Sequence, residues 1–319
     1  MDQILVTPRS VTQHGHPSLR RLTAAGHEII LGPPGRQPTE DELLAALPGC
    51  EGYLAGVEPV SARVLTTASK LRVISRNGTG TDNIDAASAA SRGIAVLRAD
   101  GANARGVAEL TFALIFALVR DLSQTDAALK RGEWARRQGI ELEGRTLGLI
   151  GCGRVGRIVA GIAGALGMNV LASDPVAEGK FYPGEFFRFV PIHEAIHRAE
   201  ILSLHCPPSP VGRPILDRDA LASSRRGVFV VNTARFDLID PAAMLDALDS
   251  GHVAGLGLDV FAEEPPKDTA LVRHSRVIAT AHVGGFTQES VDRAMDAAVD
   301  NLLRALAAPA PDRAGREIS

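Results

Sequence analysis

Arg235, Glu264 and His282 each stand shortly after an apolar run of strand type in the second half of the sequence. Strands that alternate with helices predict a parallel sheet, and such sheets bind ligands beyond the carboxyl ends of their strands. At that edge Arg235 could hold a carboxylate through two parallel hydrogen bonds, and His282 could give or take the proton of a hydroxyl or carbonyl group. Glu264 beside His282 would favour the charged imidazolium and fix the orientation of the ring. These residue types suit proton transfer on a substrate that carries a carboxylate.

A turn with the pattern G-x-G-x-x-G precedes these residues, at Gly151, Gly153 and Gly156. It lies between a strand-like apolar run and a segment with helical spacing of apolar residues, which is the context that a dinucleotide site requires. Gly151 would allow the tight turn, Gly153 the approach of a pyrophosphate, and Gly156 close packing of helix on strand. The helix N-terminus would offer N–H groups to the phosphates. The pattern predicts a bound dinucleotide, the alternative being an ordinary glycine-rich turn.

Asp174 ends the next apolar run, where a carboxylate can accept hydrogen bonds from the ribose hydroxyls of a dinucleotide. The same negative charge would repel a 2′-phosphate, and the following Pro175 and Val176 bring no basic group, so NAD is expected rather than NADP. NAD would supply the hydride chemistry that the polar side chains lack. The candidate residues together predict the interconversion of a 2-hydroxy acid and its 2-oxo acid.

The composition limits the class of protein. With 319 residues, 45% of them apolar, the chain is long enough for two globular domains. A formal net charge of −3 offers no basic surface to nucleic acid, and the most apolar run, residues 110–119, suits a buried helix rather than a membrane span. Cys50, Cys152 and Cys206 are far apart, so neither a disulfide framework nor a metal site is indicated. The N-terminus shows no signal peptide, and we expect a cytoplasmic protein.

Strand-like and helix-like patterns alternate from residue 2 to residue 97 and again from residue 146 to residue 280, which predicts an α/β fold. The segment 105–120 is apolar on nearly all sides. Such a segment is expected to form a helix that is buried either in a core or against a partner subunit. A last amphipathic helix is predicted over residues 290–306.

Three motifs resemble the signatures of the D-isomer specific 2-hydroxyacid dehydrogenase family. They are VNTAR at 231–235, GLDVFAEEP at 257–265 and TAHVGG at 280–285. The similarity extends to RNGTGTDNID at 76–85, NARGVAEL at 103–110 and GEW at 132–134, and to the glycine-rich turn. It covers residues 50–305, and among family members the phosphoglycerate dehydrogenases are the most similar. The sequence is therefore identified as a member of this family.

The resemblance implies a Rossmann-type nucleotide domain, residues 99–285, inserted into a smaller flavodoxin-like α/β substrate domain formed by residues 1–98 and 286–319. It also implies that Arg235, Glu264 and His282 are the catalytic set. Glu264 is chosen over its neighbour Glu263 because it directly precedes the proline of the motif.

The resemblance further implies the residues that contact the ligands. Contacts with NAD are expected from Gly151, Gly153, Arg154, Val155, Gly156, Asp174, Cys206, Pro207, Thr233 and Asp259. The substrate carboxylate is expected at Arg235 and at the backbone of Asn77, Gly78 and Thr79. The family also implies a homodimer joined through the helix over 105–120, and the partners expected otherwise are only small 2-hydroxy or 2-oxo acids.

Two positions depart from the family pattern and leave the substrate open. Phe236 follows Arg235 where glycine is common, and Gly56 stands where many phosphoglycerate dehydrogenases carry an arginine that reads the substrate phosphate. The sequence ends where some members add a regulatory amino-acid-binding domain, so feedback of that kind is not expected. The alternatives are a dehydrogenase for another acid, such as a phosphonate or formate-like substrate, or an NADH-sensing protein-binding module like the family's corepressors, which can retain the Arg/Glu/His set.

Overall fold

A computed structural model describes residues 2–176, 181–209, 211–266 and 270–307. The chain folds as two compact units. The first contains the described residues up to Asn103 together with those from Gln288 onward, and the second is the continuous segment Ala104–Thr287. The second unit is thus an insertion between two parts of the first. No helix in the described ranges combines the length and the apolarity that a bilayer span needs.

The first unit alternates short strands and helices and ends with a long helix. In chain order its elements are β1 (Gln3–Val6), α1 (Arg9–His14), α2 (Leu19–Ala24), β2 (Glu28–Leu31), α3 (Glu40–Ala46), β3 (Cys50–Ala55), α4 (Ala62–Thr67), β4 (Val73–Arg76), α5 (Ala86–Ser91), β5 (Ala95–Arg98) and the C-terminal helix (Gln288–Ala307). Capping side chains determine where several helices begin. The α3 helix starts at a capping box, in which Thr39 and Glu42 each accept the backbone N–H of the other.

The sheet of the first unit is parallel and has the strand order β2-β1-β3-β4-β5. This is the flavodoxin-like order, in which the direction of winding changes between β1 and β3. Successive strand residues face opposite sides, and both sides are covered. Ile4 packs with Met295 and Val299 of the C-terminal helix, whereas Leu5 packs with the α3 residue Leu43 on the other side. The C-terminal helix therefore completes the core of the first unit.

The second unit contains two helices followed by a longer series of alternating strands and helices. Its elements are α6 (Ala104–Val119), α7 (Leu122–Lys130), β6 (Thr146–Ile150), α8 (Arg154–Ala165), β7 (Asn169–Ser173), β8 (Phe187–Phe189), α9 (Ile192–Arg198), β9 (Ile201–Leu204), α10 (Arg218–Ser223), β10 (Val228–Asn232), α11 (Pro241–Asp249), β11 (Val253–Leu258), α12 (Ala270–Arg273) and β12 (Val277–Ala279).

All strand pairs of the second sheet are parallel, and the order is β12-β11-β10-β9-β6-β7-β8. From β6 the chain first winds outward through β7 to β8 and then returns to β9 on the other side. This is the Rossmann order, with its switch point between β6 and β9. The predicted fold class is confirmed in both units.

The apolar surface of α6 is mostly buried within its own unit. Phe112 and Ile115 pack in one core with the strand residues Leu147 and Leu149. Phe116 is the large apolar side chain of α6 that stays exposed, at 40% of its surface. Two explanations were left open for the apolar residues of α6, burial in a core and burial against a partner subunit. Burial in the core of its own unit accounts for most of them.

The boundaries of the units differ from the predicted domain boundaries, which were placed after residues 98 and 285. In the structure the chain divides after residues 103 and 287. The reason is that residues 99–103 pack with the C-terminal helix. Ala99 and Ala102 contact Ala294, and the Arg293 guanidinium donates to the Ala102 carbonyl at 2.8 Å.

Candidate active site

The parallel strands of the second unit place the residues that follow them at one edge of the sheet. Beyond that edge stand Gly151–Gly156 after β6, Asp174 after β7, Cys206 and Pro207 after β9, Thr233 and Arg235 after β10, Asp259 and Glu264 after β11, and His282 after β12. The predicted catalytic and NAD-contacting residues therefore share one edge. The predicted substrate contacts Asn77, Gly78 and Thr79 belong to the first unit, where they follow β4.

Two of the three motif glycines are required by the protein's own backbone. Gly151 has a φ of +95°, and a Cβ there would lie 2.6 Å from the His205 carbonyl. A Cβ at Gly156 would lie 2.1 Å from the Gly151 carbonyl oxygen, because α8 begins directly against the turn. Side chains at either position would push β6, β9 and α8 apart.

Gly153 differs, because a Cβ at this position would meet no atom within 4 Å. Gly153 is the N-cap of α8, and no side chain caps this helix. The backbone N–H groups in the first turn of α8 are therefore not taken up by a capping side chain. This arrangement fits a pyrophosphate, which is bound by N–H groups and by the positive end of a helix dipole.

Asp174 lies beside the glycine-rich turn. Its carboxylate accepts the backbone N–H of Cys152 at 2.8 Å and that of Val176 at 2.9 Å. The neighbouring Cys152 thiol is affected: burial first, and then the charge of Asp174, raises its pKa to about 11, while Arg157 acts in the opposite direction. Asp174 thus places a fixed negative charge next to the turn.

The two residues that follow β9, His205 and Cys206, have uncharged side chains. The ring of His205 forms a 2.7 Å hydrogen bond with the Ser203 hydroxyl through Nε2, and its Nδ1 atom is buried. Burial lowers the pKa of His205 to about 3, so the ring is neutral. Burial likewise raises the pKa of the Cys206 thiol to about 11, with a smaller contribution from Asp174. Neither residue carries a charge near pH 7, which suits a wall of a nucleotide site.

Glu264 and His282 form a hydrogen-bonded pair at the sheet edge. Both carboxylate oxygens of Glu264 lie 2.8 Å from Nδ1 of His282. The contact uses Nδ1 and does not involve Nε2 of the ring. His282 is held in a left-handed backbone conformation, with a φ of +51°, which is uncommon for a residue with a side chain.

Asp259 fixes the loop that carries His282. Its buried carboxylate accepts the Thr280 hydroxyl at 2.6 Å and the backbone N–H groups of Val283 and Gly284 at 2.8 Å each. These three donors lie on both sides of His282 in the chain. The left-handed conformation is thus stabilised by a carboxylate beneath the loop, a role that the sequence pattern did not indicate. The predicted contact between Asp259 and NAD stays a prediction.

Arg235 is held by a residue that the sequence reasoning did not single out. The Asn232 side chain is fully buried, donates to the Arg235 carbonyl at 2.8 Å and accepts the N–H of Ala234 at 3.1 Å. Thr233, between them, contacts Thr111 of α6 through their hydroxyl groups at 3.1 Å. Strand β10 therefore ends in a fixed turn from which Arg235 extends. Asn232 occurs within the VNTAR motif, and this was its only signal in the sequence.

Phe236 requires no glycine-like backbone. It begins a short 3-10 helix, Phe236–Leu238, and it is not among the described residues with positive φ. Its ring packs against the hydrophobic core that contains Leu216 and Leu238. The departure from the family pattern at this position is thus accommodated by core packing.

The loop after β4 in the first unit is ordered by its own backbone. Asn77 donates its N–H to the Ala55 carbonyl at 2.9 Å, and Gly78 adopts a φ of +145° beneath the Arg76 guanidinium. The Thr79 hydroxyl donates to the Asn103 side chain at 3.1 Å. The Asn77 side-chain oxygen is buried and makes no hydrogen bond with any described residue.

Comparison with known proteins agrees with this geometry. The family model described as D-isomer specific 2-hydroxyacid dehydrogenase, NAD binding domain, matches residues 112–284. The chain belongs to the D-isomer specific 2-hydroxyacid dehydrogenase family. The matched range contains the glycine-rich turn, Asp174 and the whole sheet edge. NAD is therefore the cofactor of this dehydrogenase-family domain, and the residues present fit it.

Individual relatives show how far the similarity extends. D-3-phosphoglycerate dehydrogenase from Homo sapiens is 39% identical over 258 residues, which are 80% of this chain and 48% of that protein. The chain thus spans about half the length of the curated relatives that it matches. The TT0316 protein from Thermus thermophilus has a similar structure, with a TM-score of 0.85, 33% identity and coverage of 96% of this chain and 97% of that one. The NAD-dependent formate dehydrogenase from Staphylococcus aureus, solved in complex with NAD, gives a TM-score of 0.83 at 25% identity and 98% coverage of each chain.

The substitution Gly153→Ala should separate cofactor binding from folding. Its added methyl group contacts no protein atom, so the midpoint of thermal unfolding should move by less than about 2 °C. NADH should bind at least about tenfold more weakly, because the methyl group would occupy the space that a pyrophosphate needs. Fluorescence titration with NADH and scanning calorimetry measure the two effects.

The substitution Gly161→Ala is the matched control for this experiment. Gly161 lies in the same helix, and a Cβ there also meets nothing within 4 Å. Alanine in a helix interior should stabilise the protein by about 0.5–1 kcal/mol and leave the affinity for NADH unchanged. Equal NADH affinity of wild type and the Gly153→Ala variant would rule out the pyrophosphate position.

Proposed function

We propose that the protein is an NAD-dependent oxidoreductase that interconverts a D-2-hydroxy acid and its 2-oxo acid. The observation that carries this proposal is the 2.8 Å contact between Nδ1 of His282 and Glu264, at the same sheet edge as Arg235 and the glycine-rich turn. A histidine oriented by a carboxylate, a guanidinium and a dinucleotide site on one edge are the parts that this reaction needs. The names of the curated relatives support the same class of reaction.

Arg235 binds the substrate carboxylate. A guanidinium presents parallel N–H groups that match the two oxygens of a carboxylate, and this match fixes orientation as well as position. The buried Asn232 holds the turn from which Arg235 extends. The carbon next to the carboxylate is therefore brought to a defined place at the sheet edge.

His282 transfers the proton of the reacting oxygen. In the direction of reduction its Nε2 donates to the oxygen on C2, and in the direction of oxidation it accepts the hydroxyl proton. Glu264 on Nδ1 keeps the ring in one orientation and stabilises the positive charge of the imidazolium. Bound NAD supplies or accepts the hydride at C2.

Replacing His282 by Ala should lower turnover by about 10²–10⁴-fold, because the proton donor is lost, while NADH still binds. The measurement is the decrease of NADH absorbance with a panel of 2-oxo acids, next to an NADH titration. His274→Ala is the control, since His274 lies before β12, away from the sheet edge, where it pairs with Asp249. Full turnover in the His282→Ala variant would refute the assigned role.

Replacing Asp174 by Asn should weaken the discrimination against NADPH by at least about tenfold. The variant keeps the size of the side chain but removes the charge that would repel a 2′-phosphate. The ratio of kcat/KM values with NADH and NADPH measures the change. Asp219→Asn, in the first turn of α10, changes the same charge at an exposed site and should leave the ratio unaltered. An unchanged ratio in the Asp174→Asn variant would show that the discrimination arises elsewhere.

A homodimer in the cytoplasm is part of the proposal. Its support is a group of exposed apolar side chains on α6, on α7 and just beyond: Phe116, Leu122, Leu129 and Trp134. Trp134 is 83% exposed, which is unusual for a side chain of its size. Cys50, Cys152 and Cys206 are free thiols, as suits a reducing compartment.

The substitution Phe116→Asp should convert the dimer to a monomer, because it puts a charge on the proposed interface. Light scattering after size-exclusion chromatography gives the mass directly. Leu31→Asp is the control, because Leu31 is also exposed but lies on β2 of the first unit. A wild-type protein that runs as a monomer at micromolar concentration would contradict the dimer.

A further inference from the structure

The glycine-rich turn of the second unit is held from two sides at one residue. Cys152, between Gly151 and Gly153, is fully buried, so its backbone N–H and carbonyl groups need partners within the protein. The N–H donates to the Asp174 carboxylate at 2.8 Å, and the carbonyl accepts Nε of Arg157 at 3.2 Å. Two side chains of opposite charge thus fix the peptide groups on either side of Cys152.

The carbonyl of Cys152 depends on a side chain because the helix that follows provides no partner for it. Gly153 is the N-cap of α8, and its carbonyl accepts the backbone N–H of Arg157 at 3.0 Å, as the first hydrogen bond of the helix. The Cys152 carbonyl lies one residue earlier and therefore outside the helical hydrogen-bond pattern. Arg157 donates to both carbonyls, through its main chain to Gly153 and through its side chain to Cys152. The turn is thereby tied to the helix.

An aromatic ring holds the guanidinium of Arg157. The guanidinium carbon lies 5.2 Å from the ring centroid of Phe181, which is within the range of a cation–π contact. Phe181 lies between β7 and β8 and packs edge-to-face on the buried ring of Phe187, with 5.3 Å between the ring centroids. Both rings belong to the hydrophobic core that contains Val159 of α8. The ring beside Arg157 is thus anchored in the core of the second unit.

These two contacts restrict a side chain that otherwise lies at the surface. Arg157 is an exposed residue, and an arginine side chain without partners samples many rotamers. The hydrogen bond to Cys152 fixes Nε, and the Phe181 ring restricts the guanidinium beyond it. A positive charge held one helical turn from Gly153 also favours a ligand that carries two phosphate groups.

We propose that Arg157 is a positioning residue for the cofactor: it holds the Cys152 carbonyl, and the Phe181 ring holds its guanidinium, so that the glycine-rich turn has its binding conformation before NAD arrives. A preorganised turn binds its ligand more tightly, because less conformational freedom is lost on binding. The inference goes beyond the chemistry of the catalytic set. It rests on the proposed function only in that NAD binds at this turn.

Replacing Arg157 by Met removes the donor and the charge but keeps an unbranched side chain of similar helix propensity. NADH should bind at least about fivefold more weakly, because the Cys152 carbonyl loses a hydrogen bond to a charged group. Arg157→Lys keeps a charge and a donor, so its affinity for NADH should lie between those of the wild type and Arg157→Met. Fluorescence titration with NADH measures the affinities, and scanning calorimetry verifies that each variant is folded at the temperature used.

Replacing Phe181 by Leu removes the ring but keeps apolar packing, and it should weaken NADH binding by about two- to fivefold. Because Phe181 acts through Arg157, the two losses should not multiply. The double variant Arg157→Met with Phe181→Leu should bind NADH as weakly as Arg157→Met alone.

Two control variants change the same residue types away from the turn. Phe189→Leu alters a ring that packs on Phe187 at 5.0 Å and not on Arg157. Arg198→Met removes an exposed arginine that pairs with Glu194 at the end of α9, just before β9 begins at the opposite edge of the sheet. Both variants should bind NADH with the affinity of the wild type.

The outcomes distinguish a positioning role from a merely structural one. A structural role would lower the midpoint of thermal unfolding of Arg157→Met and leave its affinity for NADH unchanged, and that result overturns the inference. Losses that multiply in the double variant would show that Phe181 acts on the nucleotide without Arg157, which overturns the assigned coupling. If Arg157→Met does not fold, wild-type NADH affinity in both Arg157→Lys and Phe181→Leu overturns the inference instead. Absence of turnover with every 2-oxo and 2-hydroxy acid overturns only the proposed function, because the titrations need no substrate.

Discussion

The candidate site depends on buried polar side chains that satisfy the backbone where it leaves the sheet. A chain that leaves a strand loses its ladder partners, and its N–H and C=O groups must find others. Asn232 and Asp259 are each at most 1% exposed and stand at the ends of β10 and β11. Asn232 binds the turn at Arg235, and Asp259 binds the loop on both sides of His282. The reactive side chains can project outward because these residues hold their backbones in place.

The first unit uses the same principle at the end of β3. Glu58 accepts the N–H of Gly56 at the end of β3 and thereby fixes the turn that follows the strand. Asn232 is neutral, and Asp259 is covered by the loop that it binds. Glu58 also has only neutral donors, but it lies at the switch point of its sheet. A residue that orders a turn thus also lies at the switch point of the sheet.

Much of the fold could be predicted from the sequence because its signals are local. The alternating patterns gave the main strands and helices, and the glycine-rich turn with its flanking strands gave the Rossmann order of the second unit. The catalytic set was found by resemblance to a family, and its roles stay predictions, although the structure places Glu264 against His282. Short elements such as α7 (Leu122–Lys130) and β8 (Phe187–Phe189) were not predicted, because they contain too few apolar residues to give a period.

What the sequence did not reveal are pairings between distant residues. Thr111 and Thr233 are 122 positions apart, and residues 99–103 join the first unit through contacts with a helix near the other end of the chain. The structural role of Asp259 was hidden for the same reason, since its partners are backbone N–H groups of another strand end. Local patterns carry no information about such contacts, which arise only when the strands have assembled.

The three motif glycines are under different selective constraints. Gly151 and Gly156 are constrained by contacts within the protein, so a descendant that lost its nucleotide but kept its fold would retain both. A side chain added at Gly153 would contact no protein atom within 4 Å. Only a bound ligand could therefore keep this position a glycine over time. In a lineage that turned this fold into a scaffold without a cofactor, the middle glycine should be the first of the three to drift.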